Sequence, residues 1–150
     1  MKALTQNVAE ISVVYQPTQR PKPTISSSKD AFTELSYWFP SETISLQERF
    51  VVAYLNRSNM LLGVYHLSSG GITGTVADTR LILATALKVA ACGLILAHNH
   101  PSSNLKPSKQ DEALTCKIKQ AASYMDIQLV DHLIISPDQR FFSFADEGLL

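Results

Sequence analysis

Residues 93–114 read GLILAHNHPSSNLKPSKQDEAL, three local patterns in a row whose order decides the fold. GLILA is a short, wholly apolar run that leads into His98, the pattern of a buried strand. His98, Asn99 and His100 leave that run and enter a loop marked by Pro101 and Pro107. Ser108 then precedes KQDEAL and reads as the N-cap of a helix, which puts Asp111 in its first turn. Leu114, Ile118, Ala121 and Met125 recur at helical spacing and predict one stripe against the core.

Working outward, residues 81–97, LILATALKVAACGLILA, are nearly apolar but carry Lys88 in the middle and Gly93 as an interruption. The run is shorter than a bilayer span of roughly 20 residues, so it reads as a buried helix followed by the strand above. Asp78 or Thr79 caps that helix. FVVAYLN from Phe50 and MLLGVYHLS from Met60 are β-rich runs joined by RSN, a hairpin pattern. The glycine-rich connector SSGGITGTVAD is expected to hold a further short strand around residues 72–76. Ser28 is expected to cap a helix through KDAFTELSYWF, ending before Pro40.

At the N-terminal end, ISVVY over residues 11–15 predicts a short strand, and QPTQRPKPTISSS a loop or extended arm. At the other end, IQLVDHLIIS and FFSFA predict two strands around a PDQR turn. The expected organisation is an arm over residues 1–27 and one domain over 28–150. Its class is mixed α/β or α+β, a β-rich sheet with helices packed on it.

A chain of 150 residues, 45% hydrophobic, is long enough for one packed core and short for two. Thirteen basic residues against thirteen acidic ones give a formal net charge of zero, so no global field draws it to nucleic acid or to an anionic membrane. The opening MKALTQNVAEISVVY has no apolar core with a small-residue cleavage site, and no membrane span is expected. Cys92 and Cys116 are expected to be two buried thiols rather than a disulfide, which points to the cytoplasm.

His98 and His100, one residue apart on extended chain, project to the same side about 6 to 7 Å apart and can share one metal ion. Asp111 supplies a third donor; two imidazoles and a carboxylate are a normal catalytic zinc set with one position left for water. The plainer role of Asp111 is charge at a helix N-terminus, and that of Ser108 is the cap alone. A hydrolytic zinc site also needs a base beside the metal. Glu112 points about 100° away from Asp111 on the helix; Glu48, just before FVVAYLN, is the better candidate, although spacing alone does not place it there.

Glu48, then His98-x-His100, seven residues, and Ser108-x-x-Asp111 resemble the JAMM motif of the JAB/MPN metalloprotease domain. The segments ERFVVAYLNRSN, SSGGITGTVADTRLILATALKVAA, ILAHNHPSSNLKPS and LVDHLIIS are similar to its RadC-like branch over roughly residues 28–150. That resemblance implies a JAB/MPN fold, cytidine deaminase-like, with a central mostly antiparallel β-sheet flanked by helices. It implies one Zn²⁺ per chain bound by His98, His100 and Asp111, with Glu48 holding and deprotonating the attacking water and Ser108 hydrogen-bonding the oxyanion. The implied activity is hydrolysis of a peptide or isopeptide bond.

The sequence departs from the family in places. Longer RadC proteins carry an N-terminal helix-hairpin-helix region where this chain has a short arm, so nucleic acid as a partner rests on the resemblance alone. Asn99 stands where ubiquitin-cleaving relatives usually have Ser or Thr, and Ser103 where RadC-like relatives often have Gly. If position 103 needs a positive φ, the serine costs on the order of 1 kcal/mol. A DNA-associated repair accessory or nuclease, and a non-catalytic interaction domain, are the alternative functions. The substrate and the oligomeric state are not encoded in any motif. His66, His132 and Asp131 read as structural or surface residues.

Overall fold

GLILA becomes the first part of β3 (Gly93–Asn99), the central strand of a five-stranded sheet, in the computed structural model, which describes residues 9, 11–71 and 76–150. All seven residues of β3 are buried, as a strand covered on both faces must be. β1 (Arg49–Leu55) pairs antiparallel with β2 (Leu61–Ser69) as the expected hairpin, and antiparallel with β3 on its other side. β4 (Gln128–Ile135) runs parallel to β3, and β5 (Phe141–Ser143) closes the order β2-β1-β3-β4-β5. A parallel pair needs a crossover; α3 (Lys109–Ser123) lies on that crossover. The fold is mixed α/β, its sheet mostly antiparallel and flanked by helices, as expected.

Alternation along the strands divides the core in two. Val51, Ala53, Ile95, Ala97, Leu133 and Ile135 pack under Ala31 and Leu35 of α1 (Ser28–Ser36). On the other face Val52, Leu94 and Leu96 meet Ile82 and Ala86 of α2 (Thr79–Lys88) and Ile118 and Ala122 of α3. The nearly apolar run 81–97 is thus helix and then strand. Among the described residues no helix is long and apolar enough to cross a membrane.

Several local expectations are corrected. The strand expected over residues 11–15 does not form: Ile11, Val13 and Val14 are exposed, and no sheet edge pairs with them. Tyr15 alone reaches the sheet, its hydroxyl donating to the Leu62 carbonyl at 2.9 Å. Ser27, not Ser28, caps α1, its Oγ accepting from Asp30 N, while Ser28 Oγ donates to Asp146 Oδ2 at 2.6 Å. The buried stripe of α3 is Thr115, Ile118 and Ala122; Met125 lies beyond the helix end and is exposed. Cys92 and Cys116 are both free and exposed rather than buried, because the first sits in the α2–β3 turn and the second on the outer side of α3. The short strand expected around residues 72–76 falls mostly outside the described residues.

Candidate metal centre

The site forms where β3 ends and α3 begins. His98 is the second-last residue of β3 and 1% exposed; Phe50, its register partner on β1, stacks on it with ring centroids 5.7 Å apart and planes 5° from parallel. His100 follows after the strand. Its backbone N–H donates to the Ile135 carbonyl, and its ring Nδ1 meets the Asn104 carbonyl at 2.6 Å. A carbonyl only accepts, so Nδ1 carries a hydrogen and Nε2 is the ring atom turned toward His98 and Asp111.

Asp111 reaches the same point from α3. Ser108 Oγ accepts from Asp111 N at 3.0 Å, and Asp111 Oδ2 accepts from Ser108 N at 2.7 Å, a reciprocal capping box. The cap and the site are therefore not alternatives. Oδ1 lies 3.2 Å from His98 Nε2 and Oδ2 3.4 Å from His100 Nε2, while the two imidazole Nε2 atoms are 3.0 Å apart.

Glu48 approaches from the turn before β1, with Oε1 3.9 Å from His98 Nε2. Ligand atoms of Glu48, His98 and His100 all fall within 4.8 Å of one another, a group that could hold a metal ion. Asn99 sets this approach: its Nδ2 donates to the Ile44 and Gln47 carbonyls at 2.8 and 2.9 Å, and its Oδ1 accepts from Arg49 N at 2.7 Å. All five residues singled out in the sequence thus meet at one corner of the fold, Ser108 through its cap with Asp111.

The electrostatics follow from that convergence. Burial raises the pKa of Glu48, outweighing the two histidines that lower it. Burial works the same way on Asp111, but the imidazoles of His100 and His98 set against it hold its carboxyl far below the usual range. For His100 burial pulls downward, and the hydrogen bond to Asp111 reverses it to a net rise.

One residue was missed. His132, read as structural or surface, is 0% exposed and lies directly behind His98, its Nε2 2.9 Å from His98 Nδ1. Its Nδ1 lies 2.6 Å from Thr115 Oγ1, and Phe144 stacks on its ring at 4.8 Å. Burial and the neighbouring His98 hold the pKa of this imidazole well below the usual histidine range. The local text of β4 carries no signal for this; the parallel pairing of Leu96 with His132 creates it. Ser103 does adopt a positive φ, 66°, and its carbonyl accepts from the Arg140 guanidinium at 3.2 Å.

A family model described as the RadC-like JAB domain matches residues 25–149. A UPF0758 protein of Flavobacterium johnsoniae is 46% identical over 125 residues, covering 83% of this chain and 53% of its own length. One from Porphyromonas gingivalis is 44% identical over 126 residues, covering 84% and 54%. UPF0758 protein YfjY of Escherichia coli is 39% identical over 114 residues, covering 75% and 71%. The chain spans about half the length of the first two of these curated relatives. With residues 25–149 of its 150 matched, this protein belongs to the RadC-like JAB domain family.

Proposed function

We propose that the chain is a zinc-dependent hydrolase of peptide or isopeptide bonds, with one zinc ion held by His98, His100 and Asp111. The observation that carries this is the convergence of electron-rich atoms. Two Nε2 atoms 3.0 Å apart, with carboxylate oxygens 3.2 and 3.4 Å away, are held together only by positive charge among them, a proton on an imidazole or a metal ion in its place. Zinc bonds of about 2.0–2.1 Å in tetrahedral geometry separate neighbouring donors by about 3.3–3.4 Å, so the donor set fits the ion in type and spacing.

A bound zinc ion supplies Lewis acidity, bringing the deprotonation of water to a pKa of about 7 and polarising an amide carbonyl. Glu48 Oε1 stands further from His98 than Asp111 does, near the metal set without joining its closest contacts. It takes the proton of the attacking water and returns it to the leaving amine; a carboxylate made more basic by burial suits both transfers. Ser108 Oγ accepts from Asp111 N, which leaves its own hydrogen for the substrate oxygen as negative charge develops there. A donor in that role contributes on the order of 3 kcal/mol to the transition state.

The test has two parts. Untagged protein is expected to retain about one zinc per chain, lost in the double variant His98→Ala/His100→Ala; a chain that takes up no zinc removes the mechanism. In a peptide-library cleavage assay Glu48→Gln is expected to abolish turnover, and equal turnover in both proteins rejects Glu48 as the base. The nucleic-acid alternative draws no support from a formal net charge of zero.

A further inference from the structure

We propose that His132 and Thr115 are positioning residues that hold His98 in the tautomer with a free lone pair at Nε2; this rests on the zinc reading above. The polarity of the relay can be worked out bond by bond. Thr115 Oγ1 has a single hydrogen and lies 2.6 Å from the Asp111 carbonyl, which can only accept, so the hydrogen goes there. The same oxygen is 2.6 Å from His132 Nδ1, and that contact then has to be Nδ1–H donated to Oγ1. His132 is fully buried with an uncharged hydroxyl and an imidazole at its two nitrogens and no carboxylate against either, so it keeps one hydrogen. Its Nε2 has a lone pair and accepts Nδ1–H of His98 at 2.9 Å. His98 is left with its lone pair at Nε2, facing His100, Asp111 and Glu48.

The relay is dry and fixed in place. His98, His132 and Thr115 are 1%, 0% and 2% exposed. Phe50 stacks on one imidazole and Phe144 on the other, which packs a face of each ring. Reversing the polarity breaks the bond from Thr115 to the Asp111 carbonyl and turns a His98 Nε2–H toward Asp111 Oδ1 at 3.2 Å, a bond that a metal ion at that nitrogen would displace. Asp111 thus acts at both ends, its carboxylate beside His98 Nε2 and its carbonyl anchoring the far end of the chain that orients the same ring.

The experiment compares the full chain as wild type, Thr115→Val and Thr115→Ser. Valine keeps the shape and removes the hydroxyl; serine restores it. Long-range nitrogen spectra of metal-free, ¹⁵N-histidine-labelled wild type are expected to show His98 and His132 both as Nδ1–H tautomers, with Thr115→Val shifted toward Nε2–H. Zinc affinity, measured by competition with a chromophoric chelator, is expected to fall about tenfold or more in Thr115→Val, the usual effect of losing a partner behind a metal ligand, and to recover in Thr115→Ser. Wild type that binds zinc, with Thr115→Val equal to it in affinity and tautomer, overturns the relay while leaving the zinc reading intact. Wild type that shows the stated tautomers but takes up no zinc overturns the zinc reading and upholds the relay's polarity.

Discussion

Asn99, the residue between the two site histidines, brackets Glu48: its amide donates to the Gln47 carbonyl at 2.9 Å and accepts from Arg49 N at 2.7 Å. A third bond, to the Ile44 carbonyl, is buried with it. Asn99→Ala removes all three and leaves backbone groups without partners, so unfolding free energy is expected to fall by about 2 to 4 kcal/mol in urea denaturation. Zinc content should survive at temperatures where the variant is folded, while turnover falls with the displacement of Glu48. A variant as stable as wild type contradicts this role for the amide.

Asp131 accepts from His132 N at 2.7 Å, Ala145 N at 3.0 Å and Ser143 Oγ at 2.6 Å, on the α1 side of the sheet. Burial raises its pKa despite these bonds. With the folded pKa above the unfolded value of about 3.9, the folded state binds more protons between the two. Asp131 therefore contributes a stability that declines as pH rises from about 4 through its folded pKa. Asp131→Asn should remove that decline, seen as a flatter difference between the two proteins' urea midpoints from pH 4 to 7. An unchanged slope would count against the raised pKa.

Ser103 holds φ at 66°, where an L-residue is strained and glycine is not. Ser103→Gly is expected to raise stability by about 0.5 to 1 kcal/mol after the greater freedom of unfolded glycine is subtracted. For a chain of this size that is about 1 to 4 °C in Tm. A lower Tm would mean that the serine has a compensating contact.

Cys92 and Cys116 are free and exposed. A chromogenic disulfide reagent should titrate both thiols in the native protein as fast as after denaturation. Protection of either one until the chain unfolds would show that it is covered in solution.

Zinc should stabilise the folded chain by mass action, about 2.7 kcal/mol at a hundredfold excess over Kd. Thermal denaturation with and without a chelator is expected to differ for wild type and to coincide for His98→Ala/His100→Ala. Coincident curves in wild type would remove the metal.

Some of this molecule was written in local chemistry. The strand GLILA, the cap Ser108 and the placing of Asp111 in the first turn of α3 depend on residues within a few positions of one another, and apolar runs and caps act at that range. The same range made the two histidines a pair. Glu48 could be singled out by resemblance, but its approach comes from antiparallel pairing that sets Phe50 against His98. His132 stayed hidden for a related reason: an imidazole in a strand looks the same whether it faces solvent, core or another imidazole. The parallel register of β3 with β4, reached across the whole of α3, decided which. Likewise ISVVY has strand-like side chains, yet its backbone joins no strand. Local propensity selects an element, whereas only the pairing of distant backbones supplies the hydrogen bonds and neighbours that give a side chain its chemistry.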